Sequence, residues 1–265
     1  MKNKNFYILS AAVLLFAMVF IGCPTADTSG SLKLSITDAP AANFKSVVVD
    51  FDKVEVSQSA TESGASWLTI NSDGGSIDLL QLTNGKLQDL GVANLSAGKY
   101  NQIRIYVSGA TITLADDTVI ASDKIHVASN TIKLTKPFVI EEGMTTELIV
   151  DFDAGHSIVK NDTVQSALYT YTITPVTRIA YAITTGKFTG HVTPIDGKTI
   201  TVTAYQDGST TSYAGTICDA SGDWTIGYLE AGVYDLKIET EDATIDVADK
   251  TIVAGEATVI DDFAF

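Results

Sequence analysis

Short runs in which apolar and polar residues alternate dominate this sequence from residue 31 onward. Leu32, Leu34 and Ile36 alternate with polar residues near the start of this region, and similar runs recur at short intervals along the chain. Side chains two residues apart point to the same face of a strand, so the pattern predicts strands with one buried face. No segment shows a sustained helical period. The sequence therefore predicts an all-β fold.

The spacing of these strands predicts two β-sandwich domains, residues 31–183 and residues 187–265. Regular turn dipeptides separate seven short strands in the second domain, and Asp196-Gly197 is predicted to form a hairpin turn. The predicted strands of the second domain are Phe188–Val192, Thr199–Tyr205, Tyr213–Cys218, Trp224–Ile226, Val233–Glu239, Thr251–Val253 and Ala257–Phe263.

Two stretches of the first domain depart from simple alternation. Between Lys45 and Ser57 the apolar residues change phase near Asp52-Lys53, which predicts a β-bulge or a break in the strand there. The mixed stretch Asn84–Leu95 is predicted to contain a short helix, and Ile77–Leu82 is predicted to be a strand.

The amino-terminal segment has the features of an export signal. Lys2 and Lys4 precede an apolar run, Phe6 to Ile21, that is short for a membrane-spanning helix. The run ends at Gly22-Cys23, which resembles the lipobox of bacterial lipoproteins. The resemblance implies that residues 1–22 are removed and that Cys23 is acylated. An ordinary signal peptide or an uncut anchor helix is the alternative interpretation.

Acylation of Cys23 makes the lipid bilayer the first predicted partner, because more than one acyl chain holds a protein stably on a membrane. Residues 23–30 are small, polar and contain Pro and Gly, which predicts a flexible tether after the lipidated cysteine. Pro24 follows Cys23 where enterobacterial lipoproteins kept at the inner membrane carry Asp, and this implies the outer membrane or the cell surface.

Charge and cysteine content exclude several classes of function. The chain has 17 Lys and Arg against 32 Asp and Glu. Removal of residues 1–22 takes two lysines and no acid, so the mature net charge is −17. Phosphate backbones repel such a chain, and no nucleic-acid partner is expected. Cys218 is the only cysteine after Cys23, so it forms no intrachain disulfide and is predicted to be a small buried hydrophobe rather than a reactive thiol.

The second domain resembles the carboxypeptidase regulatory-like, or transthyretin-like, β-sandwich family. The resemblance implies a folding and presentation module without catalytic activity. The residues that carry it are Gly190-His191-Val192, Val202-Thr203-Ala204, Asp219-Ala220-Ser221-Gly222-Asp223-Trp224 and Leu229-Glu230-Ala231-Gly232-Val233-Tyr234.

The first domain resembles the bacterial lipoprotein family catalogued as domain of unknown function 4382. The resemblance implies a secreted or lipid-anchored β domain and no known reaction. The residues that carry it are Thr37-Asp38-Ala39-Pro40, Val54-Glu55-Val56, Ile77-Asp78-Leu79-Leu80, Tyr100-Asn101-Gln102-Ile103-Arg104, Asp151-Phe152-Asp153-Ala154 and Thr174-Pro175-Val176.

One motif occurs in both domains. The stretches Leu95–Tyr100 and Leu229–Tyr234 match at their Leu, Ala, Gly and Tyr positions, and in each a turn leads into a strand. Tyr100 is out of phase with the apolar residues that follow it. The first domain is therefore predicted to have a bulge at Asn101-Gln102 or an outward-facing Tyr100.

No catalytic motif is present. His126, His156 and His191 have no metal-ligand spacing, and no nucleophile elbow or phosphate-binding loop occurs. A deep pocket with a histidine beside a carboxylate would be needed for a hydrolase. The sequence favours a non-enzymatic protein with no cofactor.

Two aspartate pairs are the candidate metal ligands. Asp50 and Asp52 flank Phe51, while Asp151 and Asp153 flank Phe152, so each pair shares one face of its strand. If the two strands were neighbours, the four carboxylates would lie close enough to bind a hard cation such as calcium. The acidic composition favours the other interpretation, a solvated sheet face.

Together these features predict a non-enzymatic, lipid-anchored cell-envelope protein that acts as a surface binding or structural module. An extracellular or envelope protein or a glycan is its expected partner. The main alternative is a subunit of a fimbria-like surface polymer that assembles by strand donation.

Overall fold

The structure is a computed structural model that describes residues 28–39, 44–161, 168–194 and 197–265. The predicted signal peptide, Cys23, most of the tether and Asp196 of the predicted hairpin lie outside these residues. The strands of the first part of the chain are β1 (Ser29–Ala39), β2 (Phe44–Ser57), β3 (Leu68–Asn71), β4 (Gly75–Asp78), β5 (Gln88–Ser96), β6 (Gly98–Tyr100), β7 (Gln102–Leu114), β8 (Val119–Ile120), β9 (Ile125–Val127), β10 (Thr131–Leu134), β11 (Phe138–Ile140), β12 (Thr145–Asp153), β13 (Ile158–Lys160), β14 (Tyr171–Ile173) and β15 (Thr177–Tyr181).

The remaining strands are β16 (Thr185–His191), β17 (Thr201–Gln206), β18 (Ser212–Ile217), β19 (Asp223–Glu230), β20 (Gly232–Glu239), β21 (Thr244–Ile252) and β22 (Ala257–Val259). In the described residues, helical structure is limited to the short helix α1 (Ala154–Ser157) and to 3-10 turns at Leu79–Leu82, Ser122–Lys124 and Ala182–Thr184. Within the described ranges, no helix has the length and apolar character to cross a membrane. The predicted all-β fold is confirmed.

Two large sheets enclose most of the core of the first domain, and the small sheets β11-β6 and β13-β14-β9 complete it. Sheet I has the strand order β15-β12-β1-β5, and sheet II has the order β10-β7-β2-β3 with β4 also paired to β2. Leu32, Leu34 and Ile36 of β1 are almost fully buried between the sheets, as their alternation predicts. Strand β1 lies inside sheet I, where it runs parallel to β12 and antiparallel to β5. The first strand of the domain therefore has hydrogen-bonded neighbours on both sides.

The phase change in β2 is accommodated by a bulge, as predicted. Val47, Val49 and Phe51 are buried, and after the bulge Val54 and Val56 are buried. The pairing of β2 with β7 shifts register between Phe51 and Lys53. One extra residue in the strand turns the next apolar residues back to the core.

Two predicted elements of the first domain are wrong. The stretch predicted to contain a helix is instead strand β5, which pairs with β1. Its register shifts beside Leu34/Ser35, so Leu90 is an extra residue and the buried positions change phase around it. This bulge hides the strand period in the sequence. The strand predicted over Ile77–Leu82 is a strand only to Asp78 and then a 3-10 turn.

In residues 185–194 and 197–265 the second domain has seven strands in two sheets. The strand predicted over Thr251–Val253 is instead the longer β21, which begins at Thr244 and ends at Ile252. The sheets have the orders β19-β16-β22 and β18-β17-β20-β21, and they enclose a core separate from that of the first domain. Trp224 is buried on β19, and Tyr234 and Leu236 are buried on one face of β20. Gly222 has a φ of +92° in the turn before β19, a conformation that favours glycine.

The motif shared by the two domains has the same local structure in both. The Tyr100 hydroxyl donates to the Ser96 carbonyl oxygen at 3.2 Å, and the Tyr234 hydroxyl donates to the Glu230 carbonyl oxygen at 2.8 Å. Both tyrosines are buried. Of the two predicted alternatives, the irregularity at Asn101 is found, because β6 ends before this residue and β7 begins after it. The other alternative, an outward-facing Tyr100, is wrong. A buried tyrosine that bonds back to the preceding turn resembles the tyrosine corner of other β-sandwiches.

Candidate functional site

The aspartate pairs predicted as metal ligands do not form one site. Asp50 and Asp52 lie on β2 in sheet II, whereas Asp151 and Asp153 lie on β12 in sheet I. In the described part of the chain, no group of three or more His, Cys, Asp or Glu residues is arranged to hold a metal ion. The predicted calcium cluster is wrong because the two strands are not neighbours.

Each of these aspartates is engaged separately or faces solvent. Asp50 accepts a hydrogen bond from the Ser76 hydroxyl, and Asp52 is exposed. The Asp153 carboxylate accepts from the His156 backbone at 2.9 Å and contacts His156 Nδ1 at 2.7 Å. Asp153 thereby caps helix α1. Asp151 is buried and belongs to the contact between the domains described below.

The three histidines and Cys218 lie at separate positions. His156 and His191 each contact an aspartate, and His126 packs against Tyr169. None of the three lines the clefts described below. Cys218 is half-buried, and burial raises the pKa of its thiol to about 12. At neutral pH this thiol is protonated and weakly nucleophilic, as predicted for a structural cysteine.

An ion pair within the first domain also contacts the second domain. Arg178 Nη2 donates to Asp151 Oδ2 at 2.5 Å within sheet I, and Arg178 Nη1 donates to the Tyr228 carbonyl oxygen of β19 at 2.8 Å. The guanidinium also lies over the Tyr213 ring of β18, 4.4 Å from its centre. Burial raises the pKa of the Asp151 carboxyl, and the charge of Arg178 opposes that shift. One arginine thus links β12, β15 and two strands of the second domain.

The second domain covers the outer face of sheet I. Strands β18 and β19 contact β1 and β15. Ile149 and Ala180 lie on the face of sheet I that points away from its own core, and both are nonetheless buried. Asp151 and Arg178 share this face. The outer face of β12 around Asp151, which the acidic composition assigned to solvent, is therefore buried against the second domain.

A loop of the first domain forms a second contact with the other domain. Asn84 has a φ of +60°, and its Oδ1 accepts hydrogen bonds from Thr216 Oγ1 and the Thr225 backbone amide, both at 3.0 Å. Its Nδ2 donates to the Ile217 carbonyl oxygen at 3.1 Å. The Tyr228 hydroxyl donates to the Gly85 carbonyl oxygen at 3.2 Å. Asparagine tolerates this left-handed conformation better than most residues, which suits it to this position.

An apolar cleft lies at the end of sheet I where the chain enters the domain. It has a volume of about 730 Å³ and lies between the turn 141–144 and the 3-10 turn Ala182–Thr184. Val139, Met144 and Ile183 line it and are 41%, 60% and 80% exposed. The Gly143 amide donates to the Ser29 carbonyl oxygen at 2.9 Å, so this turn is bonded directly to the start of β1.

Two half-buried tyrosines lie on outer sheet faces. Tyr106 lies under the Lys53 ammonium group, 4.3 Å from the ring centre, and Tyr205 lines a cleft of about 360 Å³ beside Lys237. Tyr171, by contrast, is buried. Alternation places two residues on one face but does not say which face is covered.

A family model matches residues 29–175 of the chain, and its description is "Domain of unknown function (DUF4382)". The match confirms the resemblance inferred for the first domain. No curated protein matches the chain in a sequence comparison.

Several solved bacterial structures align with most of the chain at low identity. The TIE protein of Bacillus anthracis is 13% identical, with 89% of this chain and 33% of that chain covered and a TM-score of 0.22. A leucine-rich repeat protein of Bacteroides thetaiotaomicron is 12% identical, with 90% and 26% covered and a TM-score of 0.21. The minor pilin of Streptococcus agalactiae is 13% identical, with 87% and 94% covered and a TM-score of 0.23. The chain spans about a third and a quarter of the length of the first two proteins. At these TM-scores the alignments support no conclusion about function.

Proposed function

The chain belongs to the family described as Domain of unknown function (DUF4382), and on that premise we propose that it is a non-enzymatic, lipid-anchored protein of the bacterial cell envelope. Its two β-sandwich domains act together as a surface binding or structural module. The resemblance of the second domain to the transthyretin-like presentation modules supports this function. An envelope protein, an extracellular protein or a glycan is the expected partner.

The position of β1 is the observation that carries the proposal. Strand β1 begins six residues after Cys23 and has a hydrogen-bonded strand on each side. A tether that continues into an inner strand holds the domain more firmly than one that continues into an edge strand, because an inner strand must break two ladders to leave the sheet. The Asp151–Arg178 pair and the Asn84 loop then attach the second domain to the same sheet.

Metabolic labelling with palmitate tests the anchor. We expect label in the wild-type chain and in Cys218→Ala, but not in Cys23→Ala, which should move from the detergent phase to the aqueous phase. Label that persists in Cys23→Ala would contradict lipidation at this residue. The expected partner is then sought by screening residues 24–265 against glycan and envelope-protein arrays, where reproducible binding supports a binding module and its absence leaves the structural role.

A second candidate function, a subunit of a surface polymer, is favoured by the same strand. Because β1 follows the predicted tether and supplies Leu32, Leu34 and Ile36 to the core, its exchange between copies would link them through identical ladders. Size-exclusion chromatography and electron microscopy of the mature chain distinguish the functions, since exchange predicts concentration-dependent oligomers. A chain without residues 24–36 should lose them and regain a folded monomer with a peptide of residues 28–39. A monomer at every concentration contradicts the polymer.

A further inference from the structure

We propose that the apolar cleft at the anchored end of sheet I rests on the membrane, with Val139, Met144 and Ile183 inserted among the lipids of a zwitterionic bilayer surface. This inference rests on the proposed lipid anchoring and deepens it. It assigns an orientation to the anchored protein and a role to a surface that neither domain covers.

The exposure of these three side chains is the first support. Ile183 and Met144 are 80% and 60% exposed although each is large and apolar, and Val139 lies in the same cleft. Single exposed apolar residues are common on soluble proteins, but several that line one cleft mark a contact site.

The position of the anchor is the second support. The Ala97 amide donates to the Thr28 carbonyl oxygen, and the Ser31 amide donates to the Met144 carbonyl oxygen at 2.9 Å. Cys23 precedes Thr28 by five residues. Even a fully extended tether of this length reaches only about 18 Å. An acylated Cys23 therefore keeps the turn 141–144 within a short distance of the bilayer, and this tethering favours even a weak second contact.

Charge decides which bilayer surface fits. Glu141 and Glu147 line the cleft, and Glu142 lies on the same turn. Three carboxylates at the rim are repelled by anionic head groups, whereas zwitterionic head groups carry no net charge. We therefore expect contact with phosphatidylcholine or phosphatidylethanolamine surfaces and weaker contact with phosphatidylglycerol.

Site-specific fluorescence tests the contact. The environment-sensitive NBD group is attached to Met144→Cys or Ile183→Cys in a Cys218→Ala background, where acylation blocks Cys23. Val119→Cys is the matched control, because Val119 is 62% exposed and belongs to the strand paired with the end of β7, close to Phe44 and away from Ser29. In phosphatidylcholine vesicles, we expect a blue shift, a severalfold rise in emission and quenching by lipid-borne quenchers at 144 and 183 but not at 119.

A second arm makes the result independent of lipidation. A histidine tag replaces residues 1–23 and holds the same labelled chains on phosphatidylcholine vesicles that contain a nickel-chelating lipid. Chains that float with these vesicles but leave the labels at 144 and 183 as in solution would overturn the proposal. A spectral change that depends on protein concentration without vesicles would also overturn it, since a second copy would then cover the cleft. Failure of palmitate labelling with success in this arm would refute only the native anchor.

Discussion

Asn84 should determine how strongly the two domains are coupled, and its substitutions separate two contributions. Its side chain makes three hydrogen bonds to the second domain, two through Oδ1 and one through Nδ2. At about 1 kcal/mol of net stability for each bond, Asn84→Gly is expected to cost about 3 kcal/mol. Glycine adopts the φ of +60° without strain. Asn84→Ala adds about 1–2 kcal/mol of backbone strain and should cost about 4–5 kcal/mol.

Urea unfolding followed by Trp224 fluorescence measures this loss in the second domain. A Trp67→Phe background leaves Trp224 as the one tryptophan, and Trp67 lies on the outer face of the first domain under Arg104. We expect the Trp224 transition to move to lower urea in both Asn84 variants, further in Asn84→Ala. Circular dichroism should then show the two domains unfolding at different urea concentrations.

Asn101→Ala is the matched control. Asn101 Nδ2 donates to the Gln58 carbonyl oxygen at 2.6 Å, a bond within the first domain. This variant should lose about 1 kcal/mol and leave the Trp224 transition unchanged. The reasoning is refuted if Asn84→Ala shifts the free energy of that transition by less than about 1 kcal/mol, which is within the contribution of a single hydrogen bond. Equal losses in Asn84→Gly and Asn84→Ala would refute the strain component alone.

Three further predictions concern the two cores. Tyr100→Phe and Tyr234→Phe should each lower the free energy of unfolding by about 1 kcal/mol in urea titration, because each variant loses one buried hydrogen bond. A lower stability in only one of the two variants would contradict a shared structural role. Gly222→Ala should lower the free energy of unfolding by more than about 2 kcal/mol, because φ is +92° and a Cβ would collide with the backbone. Gly208 has a φ of +73° in open space, so Gly208→Ala should lower it by only about 1 kcal/mol in the same assay. The Cys218 thiol should react slowly with a disulfide reagent at pH 8 until urea unfolds the chain, and equal rates in folded and unfolded protein would contradict its burial. Because the pKa of this thiol is raised to about 12 in the folded chain, the stability it contributes is present below about pH 9 and is lost as the pH rises toward 12.

Features that depend on neighbours in the chain could be predicted from the sequence. Alternation identified the buried face of β1, because the direction of a strand's side chains depends on local backbone geometry. The change of phase in β2 revealed a bulge since the strand was long enough to show apolar residues on both sides of it. In β5 the bulge at Leu90 leaves runs too short for the period to be recognised, and the strand was missed.

The candidate sites also differ in how far the sequence could predict them. The lipobox at Cys23 is a linear motif, so its interpretation needs no fold, and it remains a prediction. The apolar cleft combines Met144 with Ile183, which are far apart in sequence, and no local period connects them. A signal existed only in the Met that follows Glu141-Glu142-Gly143, an apolar residue in a polar turn.

The sequence alone determined the all-β class, the buried face of β1 and the anchor motif, because these follow from periods and motifs a few residues long. Only the tertiary structure decided which groups Asp151, Arg178 and Asn84 contact and whether they are buried. Alternation placed Asp151 on the outer face of β12, where an acidic chain suggested solvent. The second domain covers that face and supplies Arg178 with a carbonyl and an aromatic ring. Which partner buries a face depends on contacts between distant residues, and these are absent from any local pattern.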